Sequence, residues 1–228
     1  DRDTYDRLYT EGASLAGFGA GDEVKAIDIL YGVMLPSGAE CCVGLAQHLF
    51  GSEENFVAKM NEKAAELGMD STHFVTCTGL HDENHYTTVR DLTKLLSYAL
   101  QNDTFRQIYC TSEYPTSATA SAPEGLHFLS TMFKKMDSPE VNGGEIEGGK
   151  TGYTGEAGQC LASLAKVDDV EYILVTAGAP GGPSTGPYHI EDAKTVYNRI
   201  QAGEQGSAAD MAADSQDDQA MTETDGAA

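Results

Sequence analysis

No apolar run in the 228 residues is long enough to span a bilayer, and Asp1 does not open a signal-peptide pattern. Taken alone, those two absences describe a soluble cytoplasmic chain. An initiator Met is missing too, and Asp1-Arg-Asp-Thr-Tyr-Asp reads as the interior of a domain. A removed signal peptide or a truncation is equally compatible with such a start. Basic residues are scarce: 14 Lys and Arg stand against 36 Asp and Glu, a formal charge of -22. Such a surface repels phosphate backbones and argues against a nucleic-acid partner. Strong acidity by itself means little more than solubility. From Gly203 onward there are seven acidic residues, no Lys or Arg and almost nothing apolar. A disordered acidic tail is expected over 203–228, behind a single domain over 1–202. Cys-x-x-Cys is also missing. Cys41, Cys42, Cys77, Cys110 and Cys160 are an odd number at irregular spacing, which gives no support to a zinc or redox site. They do not indicate an oxidising compartment; Cys41 and Cys42 fall in an apolar helical stretch, where buried free thiols are the usual explanation.

What is present begins with helical periodicity. Ile27, Leu30, Tyr31 and Met34 share one face of a helix starting near Ala26, with Asp28 in its first turn and Pro36 ending it. Ser37-Gly38 then makes a tight connection to a second apolar helix, AECCVGLAQHLF, which stops at Gly51. Ser52 is a good N-cap for a third, SEENFVAKMNEKAAEL, closed by Gly68. THFVTCTGL reads as a short strand leading into the polar loop HDENHY. Thr87 or Thr88 caps a helix through VRDLTKLLSYALQN, with a shorter one around DTFRQIYC. The Ser-, Thr-, Ala- and Pro-rich stretch 111–123 is expected to be a surface connection. Beyond it the candidate strands are LHFLSTM, EIEGGKTGYT, GQCLASLAKV and VEYILVTAGA, the last three close enough to form an antiparallel meander. A final helix, HIEDAKTVYNRI, would pack on that sheet. No internal repeat is present. Helices first and an antiparallel sheet second make a mixed α+β domain with the sheet flanked by helices.

One segment carries chemistry. Lys150-Thr151-Gly152 sits at the head of a β-prone run: a cation, a hydroxyl and a glycine in a row. A strand that pairs with an extended substrate and holds its carboxylate needs those three things, namely charge, a hydrogen bond and room for close backbone approach. The tripeptide alone is common. It gains force from Ser37-Gly38 upstream, because Ser-x-x-Lys, Ser-x-Asn and Lys-Thr-Gly form the signature set of penicillin-interacting serine enzymes.

With ILYGVMLPSGAE, GSEENFVAKMNEKAAELGMDSTHFV, GLHDENHYTT and GGKTGYTGEAGQCLASLAK in collinear order, the chain from roughly Thr10 to Ile200 resembles the low-molecular-mass penicillin-binding proteins, serine-type D-alanyl-D-alanine carboxypeptidases of the cell wall. The resemblance implies the penicillin-binding-protein/β-lactamase-like transpeptidase fold, incomplete at its N-terminus. It implies acyl transfer: a serine attacks the bond between two D-alanines, and water hydrolyses the acyl-enzyme. Ser37 then stands as the Ser-x-Asn serine that helps relay a proton. Lys150, Thr151 and Gly152 hold the substrate carboxylate on the strand, and the backbone N–H of Tyr153 is one oxyanion donor. No cofactor is implied. The implied partners are the peptidoglycan stem peptide and β-lactams, and the implied place is the cell wall or the outer face of the cytoplasmic membrane.

Two departures qualify this. The third position of the middle motif is Ala39, where the family pattern has Asn, and a methyl cannot hydrogen-bond the substrate amide. Ser-x-x-Lys is absent from its place; only 36 residues precede Ser37, and Ser14-Leu-Ala-Gly does not fit. The one literal match, Ser163-Leu-Ala-Lys166, lies on the strand after Lys-Thr-Gly, where alternation points Ser163 and Lys166 to opposite faces. It is read as a decoy. The chain is therefore expected to be an N-terminally truncated carboxypeptidase that does not itself acylate.

Plainer readings stand beside these. Ser37 between Pro36 and Gly38 suits a turn, and Lys150 suits a solvated strand lysine; flanking Gly149 and Gly152 suggest a backbone kept bare for a ligand. His81 and His85, four apart, suggest a metal pair, but Gly79 and Asn84 argue for a loop whose geometry His85 helps fix. Met60, Met69, Met132 and Met136 suit packing. A non-catalytic cell-wall-binding relative would keep Lys150 and Thr151 without a nucleophile. A class A β-lactamase relative would need Glu-x-x-Leu-Asn between the second and third motifs, and none is there.

Overall fold

The computed structural model describes residues 1–182 and 184–201; the acidic stretch 203–228 lies outside the described residues. Seven helices precede and follow a β-sheet: α1 (Arg2–Thr10), α2 (Ala26–Met34), α3 (Ala39–Phe50), α4 (Glu53–Glu66), α5 (Val89–Ala99), α6 (Asp103–Tyr109) and, last, α7 (Tyr188–Gln201). Between α6 and α7 come β1 (Glu113–Pro115), β2 (His127–Leu129), the 3-10 turn Phe133–Lys135, β3 (Glu140–Val141), β4 (Gly144–Thr154), β5 (Gly158–Val167) and β6 (Val170–Ala179).

The caps expected from the sequence form. The Ser52 hydroxyl accepts from the Asn55 N–H, and of the two threonines it is Thr88 that caps α5, accepting from the Asp91 N–H at 3.1 Å. Gly51 and Gly68 take the left-handed conformation that ends α3 and α4. Asp1-Arg-Asp-Thr-Tyr-Asp is the start of a helix, with the Asp1 carboxylate accepting from the Thr4 N–H at 2.8 Å. That helix drives Leu8 fully inside, against Ala39 and Val43.

The main sheet has the order β3-β4-β5-β6, antiparallel throughout, so the expected meander is present. Asp168 and Asp169 both have positive φ and join β5 to β6 as a two-residue hairpin loop. Side chains alternate along β5. Leu161 and Ala165 pack under α7 with Ile146, Ile190 and Tyr197, whereas Leu164 meets Leu96, Leu100 and Tyr109 on the opposite face. Each buried leucine contributes about 2 kcal/mol by leaving water. The sheet is thus a middle layer between α7 and the helical half.

Two expectations fail. THFVTCTGL is not a strand; it shares only one bridge, His73 with Tyr86. Side chains from elsewhere hold its backbone instead: Asn61 brackets Phe74 through both amide atoms, His85 Nδ1 accepts from Val75 and Thr76, and Glu53 accepts from Cys77. With its polar backbone groups occupied that way, the segment has no need of a neighbouring strand. LHFLSTM supplies only His127–Leu129, which pairs with Glu113–Pro115 inside the stretch read as a surface connection. Thr131 and Met132 leave that ladder because the Thr131 N–H turns to the Leu35 carbonyl.

Candidate active site

The Pro36 turn throws Ser37 into a left-handed conformation, φ 62, which a non-glycine residue adopts only at a cost of about 1–3 kcal/mol. Neighbouring contacts enforce it. The Gly38 N–H reaches the Gly32 carbonyl at 2.8 Å, and the Ala39 N–H reaches the Ser14 carbonyl at 2.9 Å. Gly38 must be glycine, since a Cβ there would meet the Ala16 Cβ at 2.6 Å and the Gly32 oxygen at 2.9 Å. The result is a hydroxyl pinned at the mouth of α3.

β4 brings the other half. A β-bulge between Ile146 and Gly148 re-aims the strand just ahead of Lys150. Lys150 Nζ then donates to the Ser37 hydroxyl and, at 2.7 Å, to the Thr151 carbonyl. Burial is the main influence on this ammonium; it pulls the pKa down to about 8. The Thr151 hydroxyl lies 2.6 Å from that of Thr131. Thr131 therefore ties the strand to the segment before Ser37 through its side chain and its N–H together.

These groups line a cavity of about 540 Å³ whose walls include Ser37, Ala39, Lys150, Thr151, Gly152 and Tyr153. β3 covers only Gly144 and Glu145, so among the described residues β4 has no strand neighbour on that side from Gly148 to Thr154. An extended peptide can add there as a further strand. At Gly152 an added Cβ would meet nothing nearer than 3.7 Å, so the protein's own packing does not require glycine. Gly149 is different. A Cβ there would meet Met132 Sδ at 2.2 Å, so its bareness serves packing and not a ligand.

Ser163 and Lys166 point to opposite faces, as alternation requires. Ser163 is fully buried with its hydroxyl 2.9 Å from that of Tyr197, and Lys166 pairs with Asp169 at 3.0 Å at the far end of the hairpin. Neither lines the cavity. No other Ser-x-x-Lys occurs in the chain. Among the described residues, no group of three or more His, Cys, Asp or Glu is placed to hold a metal ion. The Cys42 thiol is pushed up to about 11, chiefly by burial, which leaves it protonated and inert.

Residues that sequence reasoning missed also line the cavity: Thr131, Lys135, Gln159 and His189, together with Thr78-Gly79-Leu80. Thr131 and Lys135 come from the turn after β2, Gln159 from β5 and His189 from α7, and no local motif marks any of them.

Residues 3–181 match the family described as D-alanyl-D-alanine carboxypeptidase. The D-alanyl-D-alanine carboxypeptidase DacF of Bacillus subtilis is 34% identical over 159 residues, 70% of this chain and 39% of that protein. A D-alanyl-D-alanine carboxypeptidase of a Streptomyces strain is 36% identical over 151 residues, 64% of this chain and 51% of that protein. The chain thus spans about half the length, or less, of these curated relatives. The crystal structure of the Streptomyces K15 DD-transpeptidase superposes with a TM-score of 0.73 at 27% identity, covering 88% of this chain and 77% of that one. The penicillin-binding type of fold is therefore the one this chain adopts.

Proposed function

This chain belongs to the D-alanyl-D-alanine carboxypeptidase family, and from that premise we propose that its cavity serves a serine-type carboxypeptidase acting on peptidoglycan stem peptides. The observation that carries the reading is the contact between Lys150 and Ser37, made across 113 sequence positions at the open edge of β4. The stem peptide lies along that edge. Lys150 and Thr151 hold its terminal carboxylate, the bare Gly152 lets the two backbones approach, and the Tyr153 N–H polarises the scissile carbonyl. A serine hydroxyl adds to that carbonyl, terminal D-alanine leaves with a proton relayed through Ser37, and water releases the acyl group.

The attacking serine belongs to a Ser-x-x-Lys element, and none of these 228 residues supplies one to this cavity. β-Lactams acylate the same serine in an enzyme that carries it, so this chain keeps its intact mass in benzylpenicillin. The setting for this chemistry is the cell wall or the outer face of the cytoplasmic membrane. Among the described residues no helix is long and apolar enough to cross a membrane.

A second reading, a peptidoglycan-binding relative without catalysis, is favoured by Ala39, which removes a hydrogen-bonding side chain from the cavity wall. The protein encoded by the natural reading frame decides between them. Release of D-alanine from a diacetyl-Lys-D-Ala-D-Ala peptide, lost in Lys150→Ala, supports the enzyme. Binding without release supports the second reading, and no binding at all refutes both.

A further inference from the structure

The turn that joins β3 to β4 is Asn142-Gly143. Of the six asparagines in the chain, Asn142 is the one followed by glycine. Glu140 pairs with Glu145 and Val141 with Gly144, so those two residues are the whole loop between the strands. Both are exposed, and Gly143 has φ 78, a left-handed value that suits glycine.

The hydrogen bonds here hold the backbone of Asn142 and leave its side chain loose. The Asn142 N–H donates to Asn198 Oδ1 on α7 at 2.7 Å. The Asn142 side-chain amide reaches the Asn198 carbonyl only at 3.5 Å, the outer limit of such a contact. The Gly143 carbonyl accepts from the Asp168 N–H at 3.0 Å, but the Gly143 N–H donates to nothing among the described residues. An unengaged amide nitrogen thus follows an exposed, weakly held side-chain amide, and no Cβ on Gly143 obstructs its approach.

The other asparagines are placed differently. Asn55 lies in α4 and donates to the Phe50 carbonyl at 2.9 Å, and Asn61 in the same helix brackets Phe74. Asn102 caps α6 through its side-chain oxygen, and Asn198 lies within α7. Asn84 is exposed, but the branched ring of His85 follows it.

We propose that Asn142-Gly143 is a site of spontaneous covalent modification, at which the chain deamidates itself. The Gly143 nitrogen, giving its proton to water, adds to the Asn142 side-chain carbonyl. A carbon–nitrogen bond forms there, the side-chain carbon–nitrogen bond breaks, and ammonia leaves with a proton from solvent, closing a succinimide. Water then opens the ring. Attack at the side-chain carbonyl gives aspartate, and attack at the main-chain carbonyl gives isoaspartate. One water enters and one ammonia leaves for each site converted, with no oxidant or reductant. Either product adds a carboxylate next to the cleft that Gly143 lines with Glu140, Glu145 and Asp169. Isoaspartate also puts an extra carbon into the backbone of a two-residue loop, and the register of β3 on β4 depends on that loop's length. The Ile146 N–H, which donates to the Pro139 carbonyl at 2.8 Å, loses protection as the pairing loosens.

The test holds the chain at pH 8 and 37 °C and follows intact mass, with peptide mapping that separates aspartate from isoaspartate. The expected result is a gain of about one dalton on Asn142, in both acid forms, with ammonia released in equal amount. The other five asparagines react at least about tenfold more slowly, a barrier difference of about 1.4 kcal/mol. Asn142→Gln, whose longer side chain must close a larger ring, keeps its mass over the same period. A gain that appears first on any other asparagine, or a parent chain no faster than Asn142→Gln, overturns the site. In the converted chain the Ile146 amide exchanges with deuterium faster than in the fresh chain. Full conversion at Asn142 with unchanged exchange at Ile146 overturns the effect on the hairpin.

Discussion

Lys150 donates one proton to the Ser37 hydroxyl and a second to the Thr151 carbonyl. That leaves a third donor on the ammonium. Because Ser37 accepts from Lys150, its own hydroxyl proton is free to point elsewhere. One contact thus orients two groups: a cation with a spare donor and a hydroxyl with a spare proton, both on the wall of one cavity. The strained φ at Ser37 is the cost of this arrangement.

The depressed pKa of Lys150 gives binding a pH signature. Below about 8 the side chain is a cation and the peptide carboxylate is already ionised, so affinity for acetyl-D-Ala-D-Ala is flat from about pH 5 to 7. As pH rises through about 8 the cation is lost, and affinity falls by up to tenfold per pH unit. Calorimetric titrations at pH 6, 8 and 9.5 measure this; equal affinity at 6 and 9.5 contradicts it.

Gly38→Ala pushes a methyl into Ala16 and the Gly32 carbonyl. Backbone atoms cannot rotate aside, so a loss of about 2–3 kcal/mol is expected in urea unfolding. A change below 0.5 kcal/mol would show that the Ser37 turn is not packed as described.

Much of this was legible in the sequence. Periodicity and caps located α2 to α5 because those signals are local: Pro36, Ser52, Thr88 and the left-handed glycines each act within one turn. Strands β4 to β6 were legible because short links force neighbours to pair. Ser37 and Lys150 were named from motif and resemblance, and the structure brings them into contact. THFVTCTGL misled because its backbone partners, Asn61, His85 and Glu53, are side chains supplied by other segments. Gln159 and His189 were missed for the same reason: they meet across 30 positions, and neither carries a mark of its own.

Ala39 is buried against Leu8 and Val43 as well as facing the cavity. Ala39→Asn therefore does not simply restore the family's amide. It forces a polar side chain beside an apolar cluster, and a destabilisation of about 1–3 kcal/mol is expected. A thermal melt unchanged from the parent chain, together with tighter peptide binding, would show that the site has kept room for Asn.

Ser163→Ala separates the decoy motif from the site. It removes the hydrogen bond to Tyr197 on the α7 side of the sheet and costs about 1 kcal/mol of stability. Peptide affinity stays within twofold of the parent, because Ser163 does not line the cavity. A tenfold loss with the fold intact would make Ser163 part of the peptide site.

The most direct measurement compares acetyl-D-Ala-D-Ala with its C-terminal amide, titrated into the parent chain and into Lys150→Met. Recognition of a carboxylate by Lys150 predicts that the parent chain binds the acid about 10–100-fold more tightly than the amide, the range of a charge-assisted hydrogen bond. It predicts that Lys150→Met erases the difference, with amide shifts confined to Thr151, Gly152, Tyr153 and their neighbours. Equal binding of acid and amide by the parent chain, or shifts that avoid β4, would contradict it.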